Sequence, residues 1–275
     1  MILGFGQKIL FMNISNIENK NEYDIYVDVH RKRGISSMMR VGNEEEFIEA
    51  SILSTIDFFD EIIIVLNNST DNTENIVSNI NSEKIKIYHY PFKLRPNGPG
   101  HKQNNPENSI YSISYYYNWC MSKTSYSHIC KWDGDNVALS KFSELKDIVL
   151  ANNIVWFKGV NIVGKKLDMI SKDCPHTGMH PSFHIVNNKT QYKTGDLCEV
   201  LNYREIGGSQ HKIEEPIFLH YKACKSKSMQ TRMWPDNWKS IPHFRLIYNR
   251  SQSGSAYKGE QPKQIKKILK RHEEN

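Results

Sequence analysis

Short apolar runs alternate with helix-like stretches from Gly34 onward, and this alternation limits the possible folds more than any other feature of the chain. The run Glu61–Leu66 is typical of a strand that is buried on both faces of a parallel sheet. Ile35–Val41, Ile85–Tyr90 and His128–Trp132 are predicted as further strands, and apolar residues at helical spacing predict helices between them. The pattern therefore predicts an α/β fold with right-handed crossovers, a mostly parallel sheet and helices on both faces.

The chain changes character after residue 152, where the pattern becomes β-rich and irregular. Ile154–Val163, Ser182–Val186 and Pro216–Tyr221 are strand candidates in this part. A length of 275 residues suits one large α/β domain, or one domain with a small appendage. We predict an N-terminal extension (1–33), one α/β domain (34–222) with a first half (34–140) and a β-rich second half (141–222), and a basic C-terminal segment (223–275).

The composition argues against several classes of protein. A hydrophobic fraction of 39% and a charged fraction of 24% suit a globular chain rather than a disordered one. Apolar runs such as Ile62–Leu66 are far shorter than the roughly 20 residues of a membrane span. Met1–Phe11 lacks the charged region and cleavage site of a signal peptide. The five cysteines are far apart and form no C-x-x-C pair, which predicts reduced thiols in a cytoplasmic protein.

Three polar loops follow predicted strands of the parallel sheet, namely Val41–Glu44, Asn67–Asp71 and Asp133–Asn136. Ligands of open α/β sheets bind beyond the carboxyl ends of the strands, which is where these loops meet. The sequence therefore predicts a single ligand site to which all three loops contribute.

Asp133-Gly134-Asp135 is the strongest candidate for chemistry within this predicted site. Residues i and i+2 of an extended segment project to the same face, so the two carboxylates can point toward one hard cation. Mg²⁺ or Mn²⁺ held in this way keeps open positions for phosphate oxygens. Asp-Gly is also a strong turn signal. Because the tripeptide directly follows an apolar strand, we expect it to bind a metal and a diphosphate.

The loop Asn67–Thr73 carries short polar side chains that can hydrogen-bond a nucleobase or a ribose. Asp71 can also cap the helix that follows, with Glu74 at its third position. The two roles are compatible, because a capping loop can also face a ligand.

Three motifs together resemble the GT-A fold of glycosyltransferase family 2, a Rossmann-like fold. They are Met39–Glu45, the strand Ile62–Val65 with Ser69–Thr73, and Lys131–Asp135. They occur in the order and at the separations usual in that family, and the resemblance covers residues 34–140. Together the three motifs are specific for this family, whereas each motif alone also occurs in unrelated proteins.

The resemblance implies a nucleoside-diphosphate-sugar substrate, UDP- or GDP-linked, and a divalent metal, Mn²⁺ or Mg²⁺. The residues expected to contact the nucleotide-sugar are Met39, Arg40, Val41, Glu44, Asn67, Asn68, Asp71, Lys102, Asn118, Trp132, Asp133 and Gly134. The resemblance assigns the metal to Asp133, Asp135 and a late histidine, His220, for which a core position is the alternative. The family commonly has an aspartate that pairs with uracil where this chain has Leu66, so that contact is expected to shift to Asn67 or Asn68.

Two segments between the motifs bear on the nucleotide-sugar site. The loop Pro91–Pro106 contains Lys102 among several cations, and in this fold the corresponding segment approaches the nucleotide-sugar; an exposed, solvated loop is the alternative. The aromatic helix Ile110–Met121 is expected to pack on the sheet, with Asn118 facing the nucleotide-sugar.

The second half is expected to supply the catalytic base. An inverting transfer requires a carboxylate that takes the proton from the attacking hydroxyl. The family often places it in an acidic loop, which favours Asp196 and then Glu199, with Glu214 and Glu215 as further candidates. Each of these can instead be a surface acid or a helix cap.

The net charge of +6 suits a partner that bears phosphates. The basic helical tail, Pro262–Asn275, could also rest on an anionic membrane, although a solvated helix is the alternative. We expect a cytoplasmic enzyme, peripheral to a membrane at most, whose acceptor is a glycan or a lipid-linked glycan.

Two rival functions remain open at this point. A sugar-nucleotide nucleotidyltransferase would show a Gly-rich basic loop after the first strand, where this chain has the acidic Val41–Glu45. A non-catalytic glycan- or nucleic-acid-binding protein requires a continuous basic face, whereas acids are scattered among the bases here. Nucleic acid is therefore not expected as a partner.

Overall fold

The structure is a computed structural model that describes residues 11–97, 100–164, 166–172, 174–225 and 254–273. Two of the predictions fall wholly or largely outside these residues. They concern the opening stretch Met1–Phe11, described only from residue 11, and the C-terminal segment, described only over 223–225 and 254–273.

Sixteen strands and seven α-helices are present among the described residues. The strands are β1 (Phe11–Ile14), β2 (Ile25–Asp28), β3 (Lys32–Val41), β4 (Glu61–Leu66), β5 (Ile85–His89), β6 (Tyr126–Asp133), β7 (Asn136–Ala138), β8 (Ile154–Phe157), β9 (Val160–Val163), β10 (Met169–Ser171), β11 (His180–Ile185), β12 (Tyr192–Thr194), β13 (Glu199–Leu201), β14 (Gln210–Lys212), β15 (Phe218–His220) and β16 (Gly254–Ala256). The helices are α1 (Ile48–Leu53), α2 (Thr73–Ser78), α3 (His101–Asn104), α4 (Ile113–Ser122), α5 (Lys146–Ala151), α6 (Tyr203–Ile206) and α7 (Ile265–Glu273).

The main sheet has seven strands in the order β14-β8-β11-β6-β3-β4-β5. The four strands β6-β3-β4-β5 are all parallel, and β11 pairs antiparallel with both of its neighbours. Every residue of β4 is buried, as its apolar sequence predicts for a strand covered on both faces. The predicted α/β class with a mostly parallel sheet and a β-rich second half is confirmed.

Hydrophobic clusters cover both faces of this sheet. On one face, α1, α2 and α5 contribute Ile48, Val77 and Val149 to a cluster that includes Trp132 of β6. On the other face, α4 contributes a row of buried aromatic residues, among them Tyr116. The predicted packing of the aromatic helix on the sheet is therefore confirmed.

Two local predictions were wrong. Asn43, followed by Glu46 three residues later, matches a capping box and predicts that Asn43 caps the next helix. That helix, α1, begins five residues after Asn43, which instead has a left-handed φ of 54° and accepts a hydrogen bond from the backbone amide of Thr70. The predicted single strand Ile154–Val163 is two strands in different sheets. The chain bends at Gly159, where an added Cβ would lie 2.5 Å from the Phe218 ring.

A second sheet brings the late part of the chain to the end of β6. Its five strands have the order β16-β10-β9-β15-β7, and β7 starts directly after Asp135. In this sheet His220 of β15 pairs with Asn136 of β7 on one side and with Asn161 of β9 on the other. The second half thereby places its histidine beside the aspartate motif.

The basic helix α7 uses its apolar side within the protein. Ile265 and Ile268 are buried in a cluster with Phe47 and Tyr221, and Lys267 pairs with Glu49 at 2.7 Å. A helix whose apolar side is already covered cannot bury that side in a membrane.

Within the part of the chain that the structure describes, no helix has the length and apolar character needed to cross a membrane. All five cysteines are unpaired.

His184 of β11 supplies a prediction about stability. Its side chain is fully buried, and both of its ring nitrogens lack a hydrogen-bond partner. Burial, reinforced by the nearby charges of His128, Arg31 and Lys131, lowers the pKa of His184 to about 3. The unfolded chain binds a proton at this histidine below about pH 6.5, whereas the folded chain does not, so acid favours unfolding.

We therefore expect His184→Leu to lessen the loss of stability in acid. Between pH 6 and pH 4.5 the unmodified protein should lose about 1.4 kcal/mol per pH unit relative to the variant. Urea unfolding at several pH values measures this difference, and His211→Leu, which removes an exposed histidine, is the control. Parallel stability curves for the unmodified protein and His184→Leu would contradict the prediction.

Candidate functional site

The three predicted loops lie side by side at the carboxyl edge of the parallel strands. The Asn67 amide donates to the Val41 carbonyl at 2.8 Å, which ties the ends of β3 and β4 together. The Glu45 amide donates to Asp71 at 3.1 Å, and the Glu44 amide donates to Thr73 Oγ1 at 2.8 Å. Hydrogen bonds therefore join the first two loops, and the third lies against them, because a Cβ at Gly134 would be 2.9 Å from Glu44 Cγ. The predicted convergence of the three loops is confirmed.

Strand pairing places Arg40 next to Asp133, its register partner on β6. The guanidinium donates to Asp133 Oδ1 and lies 3.9 Å from the centre of the Tyr117 ring. The Arg40 side chain is buried, whereas the Asp133 side chain is 46% exposed. Partial removal of Asp133 from water opposes its ionisation, but the charges of Arg40 and then Lys131 outweigh this effect and hold the pKa of its carboxyl below the usual value.

Asp135 is buried and has two basic neighbours. Its Oδ2 accepts from Lys225 Nζ at 2.8 Å, and its Oδ1 lies 3.6 Å from His220 Nε2. Burial alone would raise the pKa of Asp135, but Lys225, His220 and Lys222 more than offset it and lower the pKa. Asp135 is therefore a carboxylate at neutral pH.

Lys225 also bridges Asp135 to Glu44. Its Nζ lies 2.6 Å from Glu44 Oε1, while Glu44 Oε2 is buried without a hydrogen-bond partner. Burial raises the pKa of Glu44 despite Lys225, and the charges of Asp135 and Asp133 raise it further. The ionised Asp135 and the harder-to-ionise Glu44 thus share one ammonium group.

Gly134 allows the chain to pass close to Glu44. A Cβ at this position would lie 2.9 Å from Glu44 Cγ and 3.2 Å from Ile48 Cδ1. Contacts this short require neighbours to move. The glycine between the aspartates therefore has a steric role and needs no contact with a ligand to explain it.

His220 is held by a side chain on the neighbouring strand. Its Nδ1 lies 2.7 Å from Asn161 Oδ1, and its side chain is 20% exposed. Burial lowers the pKa of His220 below its usual value, although Asp135 opposes this shift. The imidazole is therefore neutral at pH 7.

The two predicted base candidates lie in different surroundings. The Glu199 side chain is 7% exposed and its Oε1 is 3.5 Å from Lys131 Nζ. Lys131 and Asp133 are two residues apart in β6, so their side chains lie on the same face of the sheet. The Asp196 side chain is 89% exposed and lies 3.7 Å from Lys102, itself 64% exposed. The structure thus brings Glu199, and not Asp196, into the charged cluster around Asp133.

The other predicted contact residues are engaged within the protein. The side chains of Met39, Val41 and Trp132 are buried in the core, and the Trp132 indole donates to Ser51 at 3.0 Å. Both polar atoms of the Asn118 amide bond the Tyr192 backbone at 2.8 Å. These bonds do not depend on any ligand.

The predicted loop residues also have bonds within the fold. The side-chain amide of Asn67 donates to the carbonyls of Tyr90 and Phe92. The side-chain amide of Asn68 donates to the Phe92 carbonyl. Asp71 accepts from the backbone amide of Thr73 at 3.1 Å in the turn before α2, but the N-cap residue of this helix is Asn72 and not Asp71 as predicted. Contact of these residues with a nucleotide-sugar stays a prediction.

Asp135 and His220 are the residues that best fit a divalent cation. In the described part of the chain, no cluster of three or more His, Cys, Asp and Glu side chains is arranged to hold a metal. However, the ionised carboxylate of Asp135 and the neutral imidazole of His220 present an oxygen and a nitrogen 3.6 Å apart, close enough to contact one ion. Lys225 contacts the other carboxylate oxygen and leaves Oδ1 available.

Several residues of this cluster are not among the site residues predicted from the sequence. Lys225 and Asn161 come from segments with no motif, and only the fold brings them to the aspartates. Lys131 could have been found, because it lies two residues before Asp133 in a predicted strand.

Part of the chain is similar to a known family. The sequence model of glycosyl transferase family 2 matches residues 38–98. That segment contains β3, β4, β5 and the loops after the first two of these strands. No curated protein matches the chain at a significant level.

Several solved structures resemble the chain at low sequence identity. Residues 1–349 of TarS from S. aureus match at 10% identity and a TM-score of 0.47, covering 79% of this chain and 70% of that one. Glucosyl-3-phosphoglycerate synthase from Mycobacterium tuberculosis, in complex with Mn²⁺, uridine diphosphate and phosphoglyceric acid, matches at 14% identity and a TM-score of 0.39, with 68% and 70% covered. The same synthase with Mn²⁺ and uridine-diphosphate-glucose matches at 19% identity and a TM-score of 0.31 over 48% of this chain and 44% of that one. The family match supports the resemblance drawn from the motifs: over residues 38–98, which carry the first two of the three motifs, the chain is similar to glycosyl transferase family 2.

Proposed function

We propose that the chain is a metal-dependent glycosyltransferase that moves a sugar from a nucleoside diphosphate to an acceptor hydroxyl with inversion at the anomeric carbon. The observation that carries the proposal is the pairing of Asp135 and His220 at the carboxyl edge of the sheet, 3.6 Å apart and beside the half-exposed Asp133. The family match over residues 38–98 supports a nucleotide-sugar as the substrate.

Asp135 and His220 are the proposed holders of the metal, with Asp133 facing the same site. A divalent cation bound there supplies Lewis-acid stabilisation of the leaving diphosphate. Mn²⁺ and Mg²⁺ both suit a site of one or two carboxylates with phosphate oxygens. Arg40 holds Asp133 ionised and in place, because the two are paired across β3 and β6.

The nucleotide is proposed to lie over the loops at the ends of β3 and β4. Glu44 is the favoured ribose contact, because its buried Oε2 has no hydrogen-bond partner and can accept from a hydroxyl. Asn68 is the favoured base contact among the loop residues, since its side chain is exposed and makes one bond, to Phe92. Lys222 and Lys131, whose charges act on Asp133, are cations that can attract the phosphates.

Glu199 is the proposed catalytic base, in preference to Asp196. Glu199 lies in the cluster with Lys131 and Arg40, whereas Asp196 projects into solvent beside Lys102. In the proposed step the acceptor hydroxyl gives its proton to Glu199 while its oxygen bonds the anomeric carbon. The bond from that carbon to the diphosphate oxygen breaks on the opposite side, which inverts the centre.

The acceptor is proposed to be a hydroxyl of a glycan or of a lipid-linked glycan, in polysaccharide synthesis in the cytoplasm. The acceptor would approach from the β12–β13 hairpin, because Glu199 begins β13. Contact with a membrane could involve only the basic side of α7, since Ile265 and Ile268 are covered by the protein.

Replacing Asp135 tests the metal site. Calorimetric titration with UDP and with GDP in the presence of Mn²⁺ should show that the unmodified protein binds at least one of the two nucleotides. Asp135→Asn keeps the shape and removes the charge, so we expect metal-dependent binding to be lost. Asp196→Asn is the matched control and should bind as the unmodified protein does. Equal binding with and without Mn²⁺ would refute metal dependence.

The choice of base is tested by turnover. Because a positioned base contributes about 10²-fold or more, Glu199→Gln should lower kcat by that factor while the nucleotide-sugar still binds. Asp196→Asn should stay within a few-fold of the unmodified enzyme. The reverse ranking of the two variants would assign the base to Asp196.

The proposed inversion is tested separately by NMR of the anomeric centre of the product. Retained configuration at that centre would remove the need for a base.

A further inference from the structure

The side-chain amide of Asn161 has one orientation that its neighbours permit. Its Nδ2 donates to the Cys174 carbonyl at 2.9 Å, and its Oδ1 lies 2.7 Å from His220 Nδ1. Rotating the amide by half a turn would set Oδ1 against the Cys174 carbonyl, and two acceptors cannot form a hydrogen bond. The oxygen of Asn161 therefore faces His220.

This orientation decides which nitrogen of His220 carries the proton. A carbonyl oxygen only accepts, so His220 Nδ1 must be the donor in the 2.7 Å bond. In a neutral imidazole the other nitrogen, Nε2, then has a free lone pair. That lone pair belongs to the atom that lies 3.6 Å from Asp135 Oδ1, a separation too long for a hydrogen bond.

The surroundings of Asn161 are rigid enough to hold this arrangement. Asn161 is 8% exposed and lies in β9, which pairs in parallel with β15 at His220 itself. Its backbone amide also donates to the Pro175 carbonyl at 2.9 Å. Two strands of one sheet and the segment around Cys174 thus fix the amide.

We propose that Asn161 is a positioning residue that keeps His220 in the Nδ1–H form, with the Nε2 lone pair directed at the cation site beside Asp135. The importance of this form for metal binding rests on the proposed function, whereas the form itself does not. Histidine ligands of metals usually donate their second ring nitrogen to a fixed acceptor, and loss of that acceptor weakens metal binding. In this chain a neutral amide, rather than a carboxylate, supplies the acceptor.

The test is ¹⁵N NMR of the histidine side chains in the full chain without metal, with the His220 signals identified by their absence in His220→Gln. The unmodified protein should show protonated Nδ1 and unprotonated Nε2. Asn161→Leu removes the acceptor at similar volume, so His220 should shift toward the Nε2–H form. Asn161→Asp keeps an oxygen facing His220 Nδ1, although its second oxygen loses the bond to the Cys174 carbonyl, so Nδ1 should again carry a proton. A proton on Nε2 in the unmodified protein, or unchanged signals in Asn161→Leu, would overturn the proposal.

Metal affinity separates this proposal from the proposed function. Titration with MnCl₂ alone measures the Mn²⁺ affinity, with the free ion detected by electron paramagnetic resonance. Compared with the unmodified protein, Asn161→Leu should bind Mn²⁺ roughly 10–100-fold more weakly, and Asn161→Asp should bind it with near-normal affinity. If the NMR result holds but the unmodified protein binds no Mn²⁺, the positioning role of Asn161 stands and the metal role of His220 fails.

Discussion

The carboxylates at the end of β6 must be neutralised, and much of the structure around them follows from this requirement. Asp135 and Glu44 are largely buried, and charges removed from water are costly unless they are paired. Lys225 lies between these two acids, and Arg40 lies against Asp133. The pairs keep Asp133 and Asp135 ionised and hold all three acids in place, and such fixed charges are the preorganisation that the proposed diphosphate site would need.

The fold meets this requirement by joining two sheets at a single short turn. β6 ends at Asp133 in the main sheet, and β7 begins at Asn136 in the second sheet. Gly134 lies between them, where only a residue without Cβ can pass Glu44 and Ile48. The second sheet then returns His220 to the turn. The aspartates are therefore held by the first half of the chain and the histidine by the second, so the candidate site depends on both halves.

The sequence predicts the structure correctly where a strand is buried on both faces or where strands and helices alternate. The β3–β6 strands, the meeting of their loops and the aromatic packing of α4 all follow from such patterns. The prediction fails at Asn43, where a left-handed turn linked to Thr70 replaces the expected helix cap. Local propensity cannot anticipate a bond to a residue in another loop.

The remaining site residues could not be predicted from the sequence, because their roles depend on contacts with residues that are far away along the chain. The resemblance favours Asp196 over Glu199 as the base, because the family often places that carboxylate in an acidic loop. Only the fold shows that Glu199 lies 3.5 Å from Lys131 on β6 whereas Asp196 is exposed. Asn161 and Lys225 carry no signal at all, since an isolated asparagine or lysine has no characteristic spacing. Their roles depend on the pairing of β9 with β15 and on the path of the chain after His220.

The most direct measurement is the anomalous diffraction of Mn²⁺ in crystals of the full chain grown with a nucleoside diphosphate. The account predicts one strong anomalous peak within bonding distance of Asp135 Oδ1 and His220 Nε2, with the diphosphate on its open side. A nucleotide seated at the ends of β3 and β4 without an anomalous peak at Asp135 would contradict it.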